Sequence, residues 1–326
     1  MNPKEGVYQA LAERRYFKLI CGASFSDAEK VNVLVQVYAH AEVDCIDLAC
    51  EPPILNAVQD ALNALPQEVK PPMIMVSLDV DGDPHFRKIE VERTACVDCE
   101  ACLPACPVEA LRMDESHRFQ IIEARCYGCS RCIPLCPTDA LSFKPVSQLP
   151  EVLQEVLNHA LVDAVELHTH ELELPSLDRL FEAVGNTFTD KWISLCFRPH
   201  EHDAETIHVY LTHFDALCQR VKPYGVMLQI DGIPMQSDES HDSSQSALSG
   251  VHALPNEWRT CFPITISGGI NRHTAILLKN NEDFSLIRGV GMGTLARKRV
   301  WQHLEGQHSF EKAVALAKDL VAPFQS

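Results

Sequence analysis

No run of about 18 apolar residues occurs in the 326-residue chain, so no segment has the length of a membrane-crossing helix. The first twenty residues, MNPKEGVYQALAERRYFKLI, lack the apolar stretch and the small-residue cleavage site of a secretory leader, and a cytoplasmic chain is expected. Positive charge is scarce. The 28 Lys and Arg face 45 Asp and Glu, a net charge of −17, and so acidic a surface disfavours nucleic acid as a direct partner. An H-E-x-x-H pattern is missing, as is any nucleophile beside a base. No complete catalytic constellation is visible, and no catalytic residue is assigned.

Cysteine, by contrast, is abundant, with 14 residues. Eight of them form two copies of C-x₂-C-x₂-C-x₃-C-P: Cys96, Cys99, Cys102, Cys106 and Pro107, then Cys126, Cys129, Cys132, Cys136 and Pro137. The flanks repeat as well, CPVEALRM against CPTDALSF, so the block is an internal duplication. Each half reads as a loop followed by a short helical turn. Three cysteines at this spacing wrap three corners of a cubane. The fourth, beyond a turn, reaches the neighbouring cluster. The pattern therefore predicts two [4Fe-4S]-type clusters. One would be held by Cys96, Cys99, Cys102 and Cys136, the other by Cys126, Cys129, Cys132 and Cys106. Zinc would need two separated pairs and no trailing proline, and fits less well. Residues 93–143 resemble a two-cluster bacterial-type ferredoxin domain. The other six, Cys21, Cys45, Cys50, Cys196, Cys218 and Cys261, read as small buried hydrophobes in a reducing compartment.

Outside the cysteine block, short apolar runs alternate with stretches of helical periodicity. Strands are expected at 16–21, 43–50, 72–78, 162–168, 191–197, 224–231, 262–268 and 284–293, each followed by a helical pattern. Several are continuous apolar runs, as when helices cover both faces of a parallel sheet. Eight such units predict a (β/α)₈ barrel, with an open doubly wound sheet as the alternative. The cysteine block falls in the third βα connection. The first three barrel strands then lie within 1–84, a ferredoxin-like insert occupies 85–145, and the remaining five strands lie within 146–326. The segment 236–250, rich in Ser and Asp, reads as a loop after strand six.

Charge divides along the same line. Residues 85–145 carry 8 Lys and Arg against 9 Asp and Glu, a net of −1, which leaves −16 on the remainder. Arg93, Arg112, Arg118, Arg125 and Arg131 lie close to the cysteines. They read as solvated surface, or as a docking rim for an acidic redox partner.

Connections after strands open onto the C-terminal face of a barrel, where active sites lie, so the insert should overhang the mouth. SGGIN (267–271) and GVGMG (289–293) follow strands seven and eight. Backbone amides of Gly268, Gly269, Gly291 and Gly293 are placed to cradle a phosphate, flavin mononucleotide being one candidate. Equally, these glycines make tight strand-to-helix turns. Strand ends supply Asp79, Asp81 and Asp83, then Glu166, His168 and His170, then Arg198, His200 and His202, then Gln229 and Asp231. His168 and His170, two apart, would share one face of a strand. Lys18 lies on strand one, and strand phase alone leaves it either buried or facing solvent.

FKLICGASF (17–25), VDCIDLAC (43–50), the doubled cysteine motif and SGGINRHTA (267–275) together resemble the cyanobacterial light-dependent period protein family over nearly the whole chain. The resemblance implies a cytoplasmic iron–sulfur protein that passes cellular redox state, and so light level, to the circadian clock through clock input partners. It brings no catalytic residues with it. An iron–sulfur oxidoreductase whose barrel holds a flavin or organic substrate, and a simple electron carrier, remain the alternatives.

Overall fold

A computed structural model describes residues 2–232, 244–280, 284–303 and 310–325. Helix α1 (Pro3–Ala12) comes first, followed by strand β1 (Tyr16–Ile20), α2 (Ala28–His40), β2 (Cys45–Ala49), α3 (Pro52–Asn63) and β3 (Met73–Asp79). The cysteine block then contributes β4 (Arg87–Val91), β5 (Leu111–Met113), β6 (Phe119–Ile121) and β7 (Leu141–Pro145). The alternation resumes with α4 (Pro150–Leu157), β8 (Ala164–His168), α5 (Leu174–Val184), β9 (Trp192–Phe197), α6 (Ala204–Val221) and β10 (Gly225–Asp231). It ends with α7 (Gln245–Ala253), β11 (Ile264–Ser267), α8 (Arg272–Asn280), β12 (Ile287–Met292), α9 (Thr294–Trp301) and α10 (Phe310–Gln325).

Eight parallel strands close in the order β1-β12-β11-β10-β9-β8-β3-β2. The chain is thus an α/β barrel with the cysteine block inserted between β3 and α4, the third βα connection. Local chemistry sets the helix starts. Asp27 accepts from Lys30 N at α2 and Asp203 from Thr206 N at α6, while prolines open α3, α4 and α5.

Residues alternate along each strand between the helix shell and the barrel interior. Phe17, Leu19, Ile46, Leu48, Ile74 and Val76 join the large core under the helices. Tyr16, Cys45, Met75, Ala164, Trp192 and Met227 form a separate apolar core with Val7, Ala10 and Leu11 of α1. Helix α1, which the strand pattern does not announce, thus plugs the N-terminal end of the barrel.

One expectation about the elements needs correction. Gln245–Ala253 is helical, because Ala247, Leu248 and Val251 recur at helical spacing and are buried, whereas a loop was expected through 250. The rest of that segment, 236–243, lies outside the described residues. In the cysteine block the helical turns Leu103–Ala105 and Ile133–Leu135 directly precede the fourth cysteines, which thus lie beyond a turn, and the chain after Pro107 and Pro137 turns into β5 and β7. Proline has no N–H to continue a helix. No helix among the described residues is long and apolar enough to cross a membrane.

Candidate functional site

The two cysteine loops are copies at the level of the backbone. Asp98 (φ 52°) and Glu100 (φ 64°) of the first match Gly128 (φ 67°) and Ser130 (φ 65°) of the second, and Glu109 (φ 50°) matches Asp139 (φ 51°). Positive φ at such positions turns backbone N–H groups toward the side the cysteines enclose, which suits anionic clusters. The cost of holding Asp and Glu there points to a constraint at this site. Ala110 N donates to Cys106 Sγ and Ala140 N to Cys136 Sγ, both at 3.2 Å, and Ile89 N donates to Cys126 Sγ at 3.3 Å. Thiol-rich loops with inward amides fit iron–sulfur ligation.

Cys96, Cys99, Cys102 and Cys136 line one cavity of about 330 Å³. Cys126, Cys129 and Cys106 are the cysteines close enough to act electrostatically on Cys132. The fold therefore brings each fourth cysteine to the other half's triplet. The two groups differ in exposure. Cys99 is exposed, and Val97 (60% exposed) and Leu135 (47%) flank that first group. Cys126 and Cys132 are buried.

The second group is also the one that touches the barrel. Tyr127 is buried and packs 4.3 Å from the Arg297 guanidinium of α9. Ser26 N donates to Ala124 O at 2.8 Å, and Arg125 pairs with Asp27 at 2.8 Å. A Cβ at Gly128 would sit 2.5 Å from Arg87 O, so the loop's approach to β4 requires glycine. Among the arginines near the cysteines, Arg125 thus fastens the insert down, while Arg93 and Arg118 pair with Asp98.

Where the insert meets the barrel mouth lies an open cleft of about 540 Å³. Gly268, Gly269, Gly291 and Gly293 all line it, with His85, Tyr127, Asp231 and Arg297. Gly268 (φ 74°) approaches Gly232 and Asp231 too closely for a side chain. Arg297 is 3% exposed, donates to Ile20 O at 2.5 Å and keeps an unpartnered Nε. Sequence reasoning missed this arginine, although it stands four residues past the last glycine of GVGMG, one turn into α9.

Beneath the cleft the interior is polar. Lys18 and Glu166 are fully buried and form an ion pair. Glu166 also accepts from Ser194 Oγ at 3.0 Å and Gln229 Nε2 at 2.9 Å, and Ser77 Oγ donates to Asp47 at 2.8 Å. Burial opposes the charge on Glu166, but Lys18 and His168 hold its carboxyl down at about 2. Burial, reinforced by the Glu166 charge, pushes Asp47 up to about 6. His168 lies inside this network. His170 does not share its face, because β8 ends at His168 and His170 turns to Arg198 and Glu171. His200 and His202 stay on the rim, bonded to Ser246 and His170 O. Five of the six remaining cysteines are buried, and Cys261 is exposed.

Comparison with known proteins follows the same division. The 4Fe-4S dicluster domain matches residues 95–140. Light dependent period A of Synechococcus elongatus is 28% identical over 331 aligned residues, covering 91% of this chain and 84% of that one. Solved structures of similar outline include a truncated 3-deoxy-D-arabino-heptulosonate 7-phosphate synthase from Thermotoga maritima (TM-score 0.43, 9% identity, 93% of this chain and 84% of that one). Another is the tryptophan synthase alpha chain from Legionella pneumophila (TM-score 0.36, 10% identity, 99% and 97%). At that distance neither bears on chemistry. The light dependent period A C-terminal domain matches residues 156–323, more than half of the sequence, and the chain therefore belongs to the light-dependent period family, as an iron–sulfur protein.

Proposed function

We infer that the chain is a cytoplasmic redox-sensing protein that reports the cell's redox state to partner proteins at the input of the circadian clock. Residues 85–145 would carry two [4Fe-4S] clusters, on Cys96, Cys99, Cys102 and Cys136 and on Cys126, Cys129, Cys132 and Cys106, with residues 1–84 and 146–326 as the barrel. Such clusters supply one-electron transfer at potentials set by N–H···S bonds and solvent exposure. The observation that carries this reading is the asymmetry of the two cysteine groups. One opens to solvent between exposed apolar residues, where a protein partner can exchange electrons. The other is packed on the barrel through Tyr127 and Arg297, where a change of charge is felt by the scaffold. The name of the Synechococcus relative, light dependent period A, supports the link to light and rhythm.

The barrel-mouth cleft favours a second reading, an iron–sulfur oxidoreductase with a phosphate-bearing flavin at Gly268, Gly269, Gly291 and Gly293. The buried Arg297 beside those glycines supports it. Iron, sulfide and flavin analysis of anaerobically purified protein separates the two. Redox sensing predicts about eight irons and eight sulfides per chain and no flavin. Stoichiometric flavin would replace the sensor reading by the enzyme reading, and zinc without sulfide would end both.

A further inference from the structure

The loop that leaves β3 for the insert and the end of β8 place Asp83, His85 and His168 side by side, with ligand atoms all within 4.8 Å of one another. We propose that these three residues bind a divalent first-row transition-metal ion, distinct from the clusters, at the barrel mouth.

His168 carries the argument. It is 5% exposed, and Phe86 packs edge-on against its ring at 5.4 Å. Its Nε2 faces Glu166 Oε1 at 3.4 Å and Ser77 Oγ at 3.3 Å, inside the interior network. Its Nδ1 is buried without a partner and points toward Asp83 Oδ1 at 3.9 Å, too far for a hydrogen bond. Two ligands on one tetrahedral ion with bonds near 2.0–2.1 Å stand about 3.3 Å apart, so His168 Nδ1 and Asp83 Oδ1 would close from 3.9 Å, while Asp83 Oδ1 and His85 Nδ1 would open from 2.5 Å as the ion replaces the proton between them. A histidine held through its far nitrogen by a carboxylate, with its near nitrogen free, is the arrangement that metal-ligating histidines use.

The other two ligands are held in place. Asp79 Oδ1 accepts from Asp83 N at 2.9 Å, and Asp83 Oδ1 lies 2.5 Å from His85 Nδ1. The His85 and His168 rings stand 5.2 Å apart. Charge also asks for a cation here. Asp47, Glu166, Asp83 and Asp231 are all buried at the mouth or beneath it, against two buried cations, Lys18, paired with Glu166, and Arg297. Two imidazoles and a carboxylate suit Zn²⁺ or Fe²⁺. His85 also lines the cleft, so the remaining coordination positions face the space available to a water or an oxyanion.

The test titrates Zn²⁺ into cluster-loaded, anaerobic protein by calorimetry, after brief chelation and desalting. One saturable site per chain is expected. His85→Ala, on the least buried ligand, and Asp83→Asn should each weaken it by more than the roughly 10–100-fold that loss of an outer-shell partner costs, while iron content and circular dichroism stay unchanged. Zinc-edge X-ray absorption should show nitrogen and oxygen ligands near 2.0–2.1 Å and no sulfur shell near 2.3 Å. Three outcomes would overturn the proposal: no saturable binding, which leaves His168 simply protonated against Asp83; wild-type affinity in both variants; or a sulfur shell, which moves the zinc to the cysteines.

Discussion

The cysteine insert and the barrel interior both concentrate functional side chains but are held together by different forces. In the insert, eight cysteines span residues 96–136 in loops between strands of three to five residues, and those loops carry Asp and Glu at positive φ. Ile89, Val108, Leu111, Phe119, Tyr127 and Leu141 join the insert to the apolar core, but its short strands leave part of the cohesion to the metal, as in other small metal-bound modules. In the barrel, the interior groups arrive from separate strands and rest between an apolar plug below and a helix-covered shell outside. That scaffold tolerates a buried ion pair because it does not depend on it for its core. The insert should therefore fail when its ligands are removed, and the barrel when its internal charges are left unpaired.

The largest effect should come from Cys106→Ala. On the exchanged assignment it removes the cluster held by Cys126, Cys129 and Cys132, leaving about half the iron and the paramagnetic signal of the other cluster. Loss of the Cys96 cluster instead would reverse the assignment. Limited proteolysis should cut the insert of this variant first and leave the barrel intact.

Next comes Glu166→Gln, which strands the Lys18 charge in the interior and should cost about 3–5 kcal/mol at neutral pH by denaturant unfolding, with iron content unchanged. Glu166 is held at about 2, below an unfolded value near 4.3, so its contribution is present above about pH 4.3 and is lost as pH falls toward 2. Between about pH 6 and about pH 3 the wild type should lose about 2 kcal/mol that the variant does not. Equal pH dependence would mean that Lys18 and Glu166 are neutral in the folded chain.

The smallest effect belongs to the seam between the regions. Asp27 caps α2 and also holds Arg125 of the insert. Asp27→Ala should cost about 1 kcal/mol of stability. Hydrogen exchange should rise around residues 122–128 more than inside the barrel; an increase confined to α2 would show that Asp27 serves only as a cap.

The regions also differ in how they can be read from the chain. The cysteine ladder is legible because its ligands sit at fixed short spacings, and strand–helix alternation is legible because apolar periodicity repeats eight times. The N-terminal plug escaped because α1 mixes apolar and polar residues without a strong stripe, and its target exists only once the barrel closes. Arg297 escaped because an arginine one turn into a helix is common, and nothing local says that Tyr127 lies beneath it. His170 was misread because strand alternation was carried two residues past the end of β8.

Taken alone, the order of residues determined the cluster-binding pattern, the eight-unit alternation and the site of the insertion, since each is written in spacings of a few residues. Closure of the barrel decided which strand face turns inward. It thereby joined Lys18 to Glu166, 148 positions away, set His168 against Asp83 and laid Tyr127 on Arg297. Those pairings depend on strand register and on burial, and neither exists until distant segments pack together.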